Sequence, residues 1–274
     1  MGPVSFSKLS GSGNDFILMD NRAAGFSAEA LARLARLLCR RKFSVGADGF
    51  IAIESSEKAD FRWRFFNSDG SVAEMCGNGG RCAARFAVEK GIAANPLTFE
   101  TLAGIIRAEV RGRGVKLEMT VPADFRPRVE VRADDRLWEG STLNTGVPHL
   151  VIPVSGLETV DVRGVGRALR RHPQFAPQGT NVNFIERAGD SRIAIRTYER
   201  GVEDETLACG TGAAAGACIA SFLWGLRPPV EVLTRGGEIL RVYLSRAGEG
   251  FQGVFLEGET IWVYDGQTTE EAWL

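Results

Sequence analysis

The stretches Met75-Cys76-Gly77-Asn78-Gly79 and Ala208-Cys209-Gly210-Thr211-Gly212 decide how this chain is organised. Each places a cysteine directly before a Gly-x-Gly run that leads into a predicted helix. The unpaired N–H groups at a helix N-terminus favour the thiolate form of a nearby cysteine. If two such helix ends face each other, they form a site with two thiols.

The offset of 133 positions between the two cysteines also relates landmarks elsewhere in the chain. The matched pairs are Gly13 and Gly146, Phe65 and Tyr198, Asn67 and Arg200, Gly79 and Gly212, Thr101 and Thr234, and Gly104 and Gly237. Two copies at one constant offset indicate a duplicated domain. A sheet wrapped around one central helix in each half would bury the predicted helix from Ala213 to Trp224, which is apolar nearly all round.

Composition excludes several classes of partner. The 274 residues include Lys+Arg 33 and Asp+Glu 34, a net charge of −1, so no overall field points to nucleic acid or to an anionic membrane surface. The longest apolar stretch, Ala213 to Leu226, is shorter than the roughly 20 residues that span a bilayer. The first residues lack the layout of a secretion signal. We expect a cytoplasmic protein with a small-molecule partner, no nucleic acid and no membrane.

The five cysteines are an odd number without a C-x-x-C pair, which argues against a disulfide framework and against a zinc knuckle. Cys39, Cys82 and Cys218 lie among apolar residues on predicted helices, where a free cysteine acts as a small hydrophobe. Packing does not explain why Cys76 and Cys209 both precede Gly-x-Gly. We predict that these two thiols are functional and that the chain has no metal site.

Local patterns predict the following order of elements. Strands are expected up to Met19 with a break at Gly11-Ser12-Gly13-Asn14, around Phe50 to Ile53, around Phe61 to Phe66 and from Leu97 to Val121. Helices are expected after the N-cap Ser27 to about Arg41, from Gly80 to about Lys90, from Gly164 to Arg171 and from Ala213 to Trp224. The domains are predicted as 1–123, carrying Cys76, and 124–263, carrying Cys209, with a final strand at 264–274 that returns to the first half.

Two thiols without a cofactor suit the removal of a proton from one face of a carbon and delivery of a proton to the other. A thiolate whose pKa is lowered from its usual ~8.5 by the helix end can be the base, and a protonated thiol the acid. The N–H groups of Gly77, Asn78, Gly210 and Thr211 could bind the carboxylate beside the reacting carbon. The sequence has neither a G-x-G-x-x-G run after a strand nor a Walker loop, so we expect no cofactor.

Several motifs together resemble the diaminopimelate epimerase family, and the likeness extends over essentially the whole chain. They are Gly11-Ser12-Gly13-Asn14-Asp15-Phe16, Phe66-Asn67-Ser68-Asp69-Gly70-Ser71, Met75-Cys76-Gly77-Asn78-Gly79-Gly80-Arg81-Cys82, Gly146-Val147-Pro148-His149, Tyr198-Glu199-Arg200-Gly201, Ala208-Cys209-Gly210-Thr211-Gly212 and Tyr264-Asp265-Gly266. The resemblance implies an α/β (α+β) fold of two pseudo-symmetric domains, each a mixed, mostly antiparallel sheet wrapped around a central helix. It also implies a homodimer.

The resemblance further implies interconversion of LL- and meso-diaminopimelate, a precursor of lysine and of the cell wall, without pyridoxal phosphate. Cys209 would remove the proton and Cys76 donate one in the LL-to-meso direction. The positions that match substrate-binding residues of the family are Asn14, Asn67, Gly77, Asn78, Asn181, Glu199, Arg200, Gly210 and Thr211. His149 and Glu199 match positions that tune the thiols. The chain carries Val147 where many family members carry asparagine, so a side-chain amide beside the distal carboxylate is absent.

Other interpretations of these residues remain open on sequence grounds. A proline racemase or hydroxyproline epimerase would use the same two-thiol chemistry, although that group usually has histidine where this chain has Asn78. A non-catalytic thiol protein, either redox-sensing or metal-binding, is an alternative of another class. Glu199 and Arg200 could form an ordinary surface ion pair. His149, which follows Pro148, could be an ordinary loop imidazole.

Overall fold

A computed structural model describes residues 2–133, 135–248 and 250–273 of the chain. The chain divides into two compact units, the first formed by Met1–Leu117 with Gly258–Leu274 and the second by Glu118–Glu257. The boundaries expected from the sequence, after residue 123 and before residue 264, lie a few residues later in each case. The ends of the expected spans 1–123 and 264–274, residues 1 and 274, lie outside the described residues.

Within the residues that the structure describes, the first unit contains two α-helices and eight strands. The strands are β1 (Ser5–Gly11), β2 (Asn14–Asp20), β3 (Gly49–Glu54), β4 (Phe61–Asn67), β5 (Leu97–Thr101), β6 (Gly104–Arg111), β7 (Gly114–Glu118) and β17 (Ile261–Gln267), and the helices are α1 (Ala28–Leu38) and α2 (Gly77–Glu89). The pairs β2–β3 and β4–β5 are parallel, whereas β17–β1, β1–β2, β3–β4, β5–β6 and β6–β7 are antiparallel. The tail strand β17 thus pairs with the first strand of the chain.

The second unit repeats this plan with a helix at each corresponding position. Its strands are β8 (Ala123–Ala133), β9 (Arg136–Asn144), β10 (Pro148–Pro153), β11 (Asn181–Arg187), β12 (Arg192–Glu199), β13 (Asp204–Thr206), β14 (Val230–Leu233), β15 (Ile239–Ala247) and β16 (Gly250–Glu259), and its helices are α3 (Val162–Arg170) and α4 (Gly210–Trp224). The pairs β10–β11 and β12–β14 are parallel, whereas β8–β9, β9–β10, β11–β12, β12–β13, β14–β15 and β15–β16 are antiparallel. The predicted duplication and the mixed, mostly antiparallel sheets are confirmed.

In each unit the cysteine helix, α2 or α4, packs against one face of the sheet, and the second helix, α1 or α3, packs against the other face. In α4 the residues from Gly212 to Ser221 are all buried, as the apolar sequence predicted. Small side chains let the strands approach, since a Cβ atom at Gly216 would lie 3.1 Å from Cδ1 of Ile195. The helix α1 begins at the predicted N-cap Ser27, whose side chain accepts from the N–H of Ala30. Leu31, Leu34 and Leu38 of α1 are fully buried.

Strand β17 holds the same place in the first unit as β8 does in the second. Each pairs antiparallel with the strand that opens its repeat, β1 or β9. In the second unit this partner comes directly before β9 in sequence, whereas in the first unit it comes from the other end of the chain. The equivalent place in each sheet is therefore filled by a strand just before the repeat in the second unit and by a strand from the C-terminal end of the chain in the first.

Two sequence predictions about the repeat need correction. The cysteine helices begin at Gly77 and Gly210, three residues before the predicted Gly80 and Ala213, because the glycines after each cysteine are themselves helical. The offset also changes along the chain. Gly49 pairs with Phe16 and Asn181 with His149, so the offset is 133 between β2 and β10, 132 between β3 and β11, and 133 again at the cysteines.

Among the residues that the structure describes, none of the helices has the length and apolar character needed to span a bilayer.

Candidate active site

Cys76 is the N-cap of α2, with an extended backbone at φ −144° and ψ 120°. Its sulfur accepts the N–H of Gly79 at 3.5 Å, and its side chain is only partly buried. Gly77, the next residue, faces open space, since a Cβ atom added there would have none of the described heavy atoms within 4 Å. The sequence prediction of a thiol at a helix N-terminus is confirmed for Cys76.

Asn14 and Asn78, two predicted substrate-binding residues, are joined to each other in the first unit. Nδ2 of Asn78 donates to Oδ1 of Asn14 at 2.6 Å. Nδ2 of Asn14 in turn donates to Oδ2 of Asp48 at 3.1 Å. The buried guanidinium of Arg81 donates to Oδ1 of Asn78 at 2.9 Å and also to the hydroxyl of Ser12. This network fixes the orientation of both amides beside the first turn of α2.

Asn67, the third predicted binding residue of this unit, ends strand β4 and is exposed. Its Nδ2 donates to Oγ of Ser71 at 3.0 Å, and its N–H donates to the carbonyl of Ser71 at 2.9 Å. The side chain therefore closes the turn that the sequence predicted at Ser68-Asp69-Gly70. A role for Asn67 in substrate binding stays a prediction.

Cys209 is the N-cap of α4 with the same extended backbone, at φ −123° and ψ 112°. Its Sγ lies 3.5 Å from Oγ1 of Thr211. The carbonyl of Thr211 accepts from Oγ1 of Thr145 at 2.9 Å, which ties this first turn to the segment after β9. Cys209, Gly210 and Thr211 are all partly exposed. The second predicted thiol at a helix N-terminus is thus also confirmed.

The pKa of Cys209 differs from the sequence expectation. Although the residue as a whole is partly exposed, burial of its thiol and the negative charge of Glu199 raise this pKa to about 12, against hydrogen bonds from Thr211 and Gly212 that lower it as predicted. Burial also raises the pKa of Glu199, while the Thr206 hydroxyl and the Cys209 thiol act in the opposite direction by stabilising the carboxylate. The expected low pKa is therefore wrong for Cys209, because a helix end cannot offset both burial and a neighbouring carboxylate.

His149 lies in strand β10 and is 1% exposed, so it is not a loop imidazole. Its Nδ1 lies 3.0 Å from Nδ2 of Asn183. Burial and the positive charge of Arg200 lower the pKa of His149 to about 3, against a smaller opposite effect of Asn183. The imidazole is therefore neutral at physiological pH.

Asn181 and Arg200 are brought together in the second unit. Oδ1 of Asn181 accepts the backbone N–H of Arg200 at 2.7 Å, and Nδ2 of Asn181 donates to the carbonyl of Pro148 at 3.3 Å. Nη1 of Arg200 donates to the carbonyl of Gln178 at 3.3 Å. The strand registers of the two units show that Asn67 corresponds to Glu199, and not to Arg200 as the constant offset of 133 predicted.

The other three cysteines are buried, as predicted for core residues: Cys39 is 3% exposed, and Cys82 and Cys218 are 0% exposed. Burial raises the pKa of each of them to about 12. Within the part of the chain that the structure describes, no group of three or more His, Cys, Asp or Glu side chains is arranged to hold a metal ion.

Two residues of these sites are not singled out by the sequence pattern. The sequence motif includes Arg81 but predicts no role for it, whereas in the structure its buried side chain orients Asn78. Asn183 stands there as a strand residue, yet it contacts His149. A polar residue within the apolar strand β11 is the signal that could have singled out Asn183, because buried polar groups require partners.

Known proteins resemble this chain both in sequence and in structure. The sequence profile of the family described as diaminopimelate epimerase matches residues 6–125 and 141–262. The diaminopimelate epimerase of Aquifex aeolicus is 49% identical over 280 residues, covering 98% of this chain and 99% of that protein. At the level of structure, a phenazine biosynthesis protein of the PhzF family from Bacillus anthracis has a TM-score of 0.74 at 17% identity, covering 98% of this chain and 99% of that chain.

A hydroxyproline epimerase from Agrobacterium vitis has a TM-score of 0.66 at 16% identity, covering 98% of this chain and 93% of that chain. At these identities the two structures establish the fold alone, so the fold does not separate the two epimerase groups. The sequence does separate them. With a family profile that matches both of its halves and a relative that shares almost half of its residues over nearly the full length, this chain belongs to the diaminopimelate epimerase family.

Proposed function

We propose that this protein interconverts LL- and meso-diaminopimelate, using two cysteine thiols and no cofactor. The observation that carries the proposal is the duplicated setting of Cys76 and Cys209. Each is the N-cap of the buried helix of its unit and is followed by glycines of the first helical turn, and the sulfur of Cys76 accepts the N–H of Gly79. The choice of diaminopimelate as the substrate rests on the relatives that are named diaminopimelate epimerase.

Proton removal by Cys209 begins, in this proposal, with Glu199. A thiol with a pKa of about 12 is protonated at neutral pH, so its proton must leave before the sulfur can act as a base. The carboxylate of Glu199 is the nearby acceptor whose charge acts on the thiol, and burial makes it more basic than an exposed glutamate. Transfer of the proton gives a thiolate and a neutral carboxylic acid, so the charge on the pair is conserved.

The thiolate of Cys209 then takes the α-proton of LL-diaminopimelate, and the electron pair of the C–H bond passes into the α-carboxylate. Cys76 gives its proton to the opposite face of the same carbon, which inverts the centre and leaves a thiolate on Cys76. The N–H groups at Gly77, Asn78, Gly210 and Thr211 are the proposed donors to the carboxylate on which charge builds. The reverse direction exchanges the two roles.

The remaining predicted residues hold the substrate in this proposal. Asn14, Asn67 and Asn181 supply amide contacts. The second amino-acid group of diaminopimelate carries a carboxylate and an ammonium, which suit Arg200 and Glu199 in turn. His149 tunes the thiol chemistry as a neutral imidazole. Because Val147 cannot donate a hydrogen bond from its side chain, the distal carboxylate depends more heavily on Arg200.

We further propose that the enzyme works in the cytoplasm as a homodimer. Support for a partner copy comes from β17, where Ile261 is 57% exposed and Val263 52% exposed on the same face of the strand. Two large apolar side chains at such exposure favour a covering surface. Sedimentation velocity tests the dimer, which a monomer at micromolar concentration would contradict.

The test of the proposed function is exchange of solvent deuterium into the α-position of four amino acids, namely diaminopimelate, proline, hydroxyproline and glutamate. The proposal expects exchange with diaminopimelate and little with the other three. Exchange with proline or hydroxyproline instead would support the racemase alternative. Stoichiometric zinc in the purified protein, without exchange on any of the four, would support a metal-binding thiol protein.

A further inference from the structure

The second unit buries a polar group of three side chains between strands β10, β11 and β12, beside the first turn of α4. His149 is 1% exposed, Asn183 is 0% exposed and Thr197 is 3% exposed. A Cβ atom at Gly212, in the first turn of α4, would clash with Oδ1 of Asn183. The group therefore lies against the first turn of α4, where the same Cβ atom would lie 3.3 Å from the Cys209 sulfur.

The orientation of the Asn183 amide is fixed by two neighbours. Nδ2 donates to the carbonyl of Leu150 at 3.1 Å, and Oδ1 accepts from Oγ1 of Thr197 at 3.0 Å. A backbone carbonyl can only accept a hydrogen bond. Turning the amide over would place its oxygen against the oxygen of Leu150, so the NH₂ group must face this carbonyl and the nearby His149.

The amide orientation decides where the proton of His149 lies. Nδ2 of Asn183 is 3.0 Å from Nδ1 of His149, and Nδ2 has only hydrogens to offer. Nδ1 of His149 must therefore accept, which leaves the single proton of the neutral ring on Nε2. We propose that Asn183 is a positioning residue that holds His149 in the Nε2–H tautomer, so that His149 serves the reaction as a hydrogen-bond donor and not as a base.

The first unit provides an internal comparison for this polar pair. Phe16 pairs with Gly49 in the register in which His149 pairs with Asn181. The residue two positions beyond Gly49 is Ile51, which therefore corresponds to Asn183. A Cβ atom at Gly79 would lie 3.3 Å from Cδ1 of Ile51 and 3.4 Å from Cε1 of Phe16. The same place under a cysteine helix is thus filled by apolar residues in one unit and polar residues in the other.

This comparison shows that the fold does not require the polar pair. Burying an amide and an imidazole is less favourable than burying phenylalanine and isoleucine unless every polar atom finds a partner. Nε2 of His149 is buried, and none of the described residues forms a hydrogen bond with it. A buried donor without a partner in the protein is rare and indicates a ligand or reaction intermediate that accepts from it.

The chemistry that fits such a donor is an anion. A neutral imidazole can donate Nε2–H to a thiolate or to a carboxylate, and it stabilises the negative charge without giving up the proton. Burial and the charge of Arg200 keep the ring neutral, as the low pKa of His149 indicates. That this donor assists the two-thiol reaction rests on the proposed function, whereas its protonation state does not.

The test of the tautomer is NMR of protein labelled with ¹⁵N at histidine, using correlations to the carbon-bound ring protons. The chain has two histidines, and His149→Phe identifies the signals of His149. We expect Nε2, which couples to both ring protons, to show the shift of a protonated nitrogen, and Nδ1 that of a bare nitrogen. A protonated Nδ1, or a doubly protonated ring at pH 7, would overturn the proposal.

The role of Asn183 is tested by Asn183→Leu, which removes the amide and keeps a similar volume. The Nδ1 signal of His149 should move downfield, because a bare nitrogen that loses its donor is deshielded, while the signals of the other histidine of the chain, His172, stay in place. Turnover of diaminopimelate should fall by about tenfold to a hundredfold. An unchanged Nδ1 signal would show that Asn183 does not hold the ring.

The double variant His149→Phe/Asn183→Ile rebuilds in the second unit the pair that the first unit carries. We expect it to fold, with wild-type circular dichroism and one cooperative melting transition, and to lose at least about tenfold in kcat. Wild-type turnover by the double variant would overturn the role in the reaction. If the wild-type protein did not act on diaminopimelate, the proposed function would fail, yet the NMR result would still decide the tautomer.

Discussion

Replacing Glu199 by glutamine removes the proposed proton acceptor of Cys209 and keeps its shape. The pKa of Cys209 is about 12, so at pH 7 the thiolate without an internal acceptor is about one molecule in 10⁵. Ionising the thiol at pH 7 would therefore cost about 7 kcal/mol of free energy. The substitution also removes the negative charge that raises the thiol pKa, so part of this amount is recovered. We expect kcat for diaminopimelate to fall by about 10² to 10⁴.

The dependence on pH distinguishes loss of the proton acceptor from a loss of substrate binding. In the wild type, kcat/KM should fall at low pH as Glu199 becomes protonated, with a midpoint above the usual glutamate pKa of ~4.3, because burial raises its pKa. In Glu199→Gln the thiol must ionise to solvent. Its kcat/KM should then rise by about tenfold per pH unit from pH 7 towards pH 10.

The assay is release of α-deuterium from labelled diaminopimelate, followed by proton NMR across this pH range. Asp190→Asn is the matched control, since Asp190 is fully exposed and the change in charge and shape is the same. It should keep wild-type turnover and pH dependence. A loss of less than tenfold in Glu199→Gln, with a wild-type pH profile, would refute the role of Glu199 as proton acceptor.

Three further predictions concern the thiols, the substrate and stability. Cys76→Ala and Cys209→Ala should each abolish net epimerisation, and retention of more than a small fraction of turnover by either variant would exclude the two-base mechanism. Arg200→Ala should cost about 2 to 4 kcal/mol in kcat/KM for diaminopimelate. Arg200→Lys should also be a poor enzyme, because an ammonium cannot form the bidentate contact. Wild-type kinetics in either variant would contradict a contact between Arg200 and the distal carboxylate. The pKa of His149 is lowered to about 3 in the folded protein, so the unfolded chain binds the proton first, and stability is lost as pH falls below ~6.5. Relative to His149→Phe, the free energy of unfolding of the wild type should decline by about 1.4 kcal/mol per pH unit from pH 6 to pH 4.5, and parallel urea-denaturation curves over that range would contradict this.

The architecture was predictable because its signals are local and occur twice. Cysteine before Gly-x-Gly marks the start of each central helix, and the apolar run after Cys209 requires burial on all sides, which the structure confirms. Repetition made these weak signals strong. The helix starts were predicted three residues late, because glycine has a low helix propensity and its helical conformation here depends on the surrounding strands.

The features that were missed depend on contacts between distant parts of the chain. The raised pKa of Cys209 comes from burial and from Glu199, which lies in a different element. The burial of His149 comes from the pairing of β10 with both β9 and β11, which a Pro-His dipeptide does not reveal. Asn183 corresponds to Ile51 only after the one-residue change of offset, which sequence matching at a constant 133 does not detect.

If two thiols act on opposite faces of one carbon, the position at which deuterium enters during the first turnovers reveals it. LL-diaminopimelate is incubated with the enzyme in D₂O, and deuterium at the α-carbon is followed in substrate and product during the first few per cent of reaction. We expect the new meso product to carry deuterium at the inverted centre, because the hydrogen added there comes from a solvent-equilibrated Cys76, and the remaining LL substrate to carry none. Meso product that retains the original α-proton, or LL substrate that gains deuterium as fast as product forms, would show that a single base serves both faces and would exclude the two-thiol mechanism.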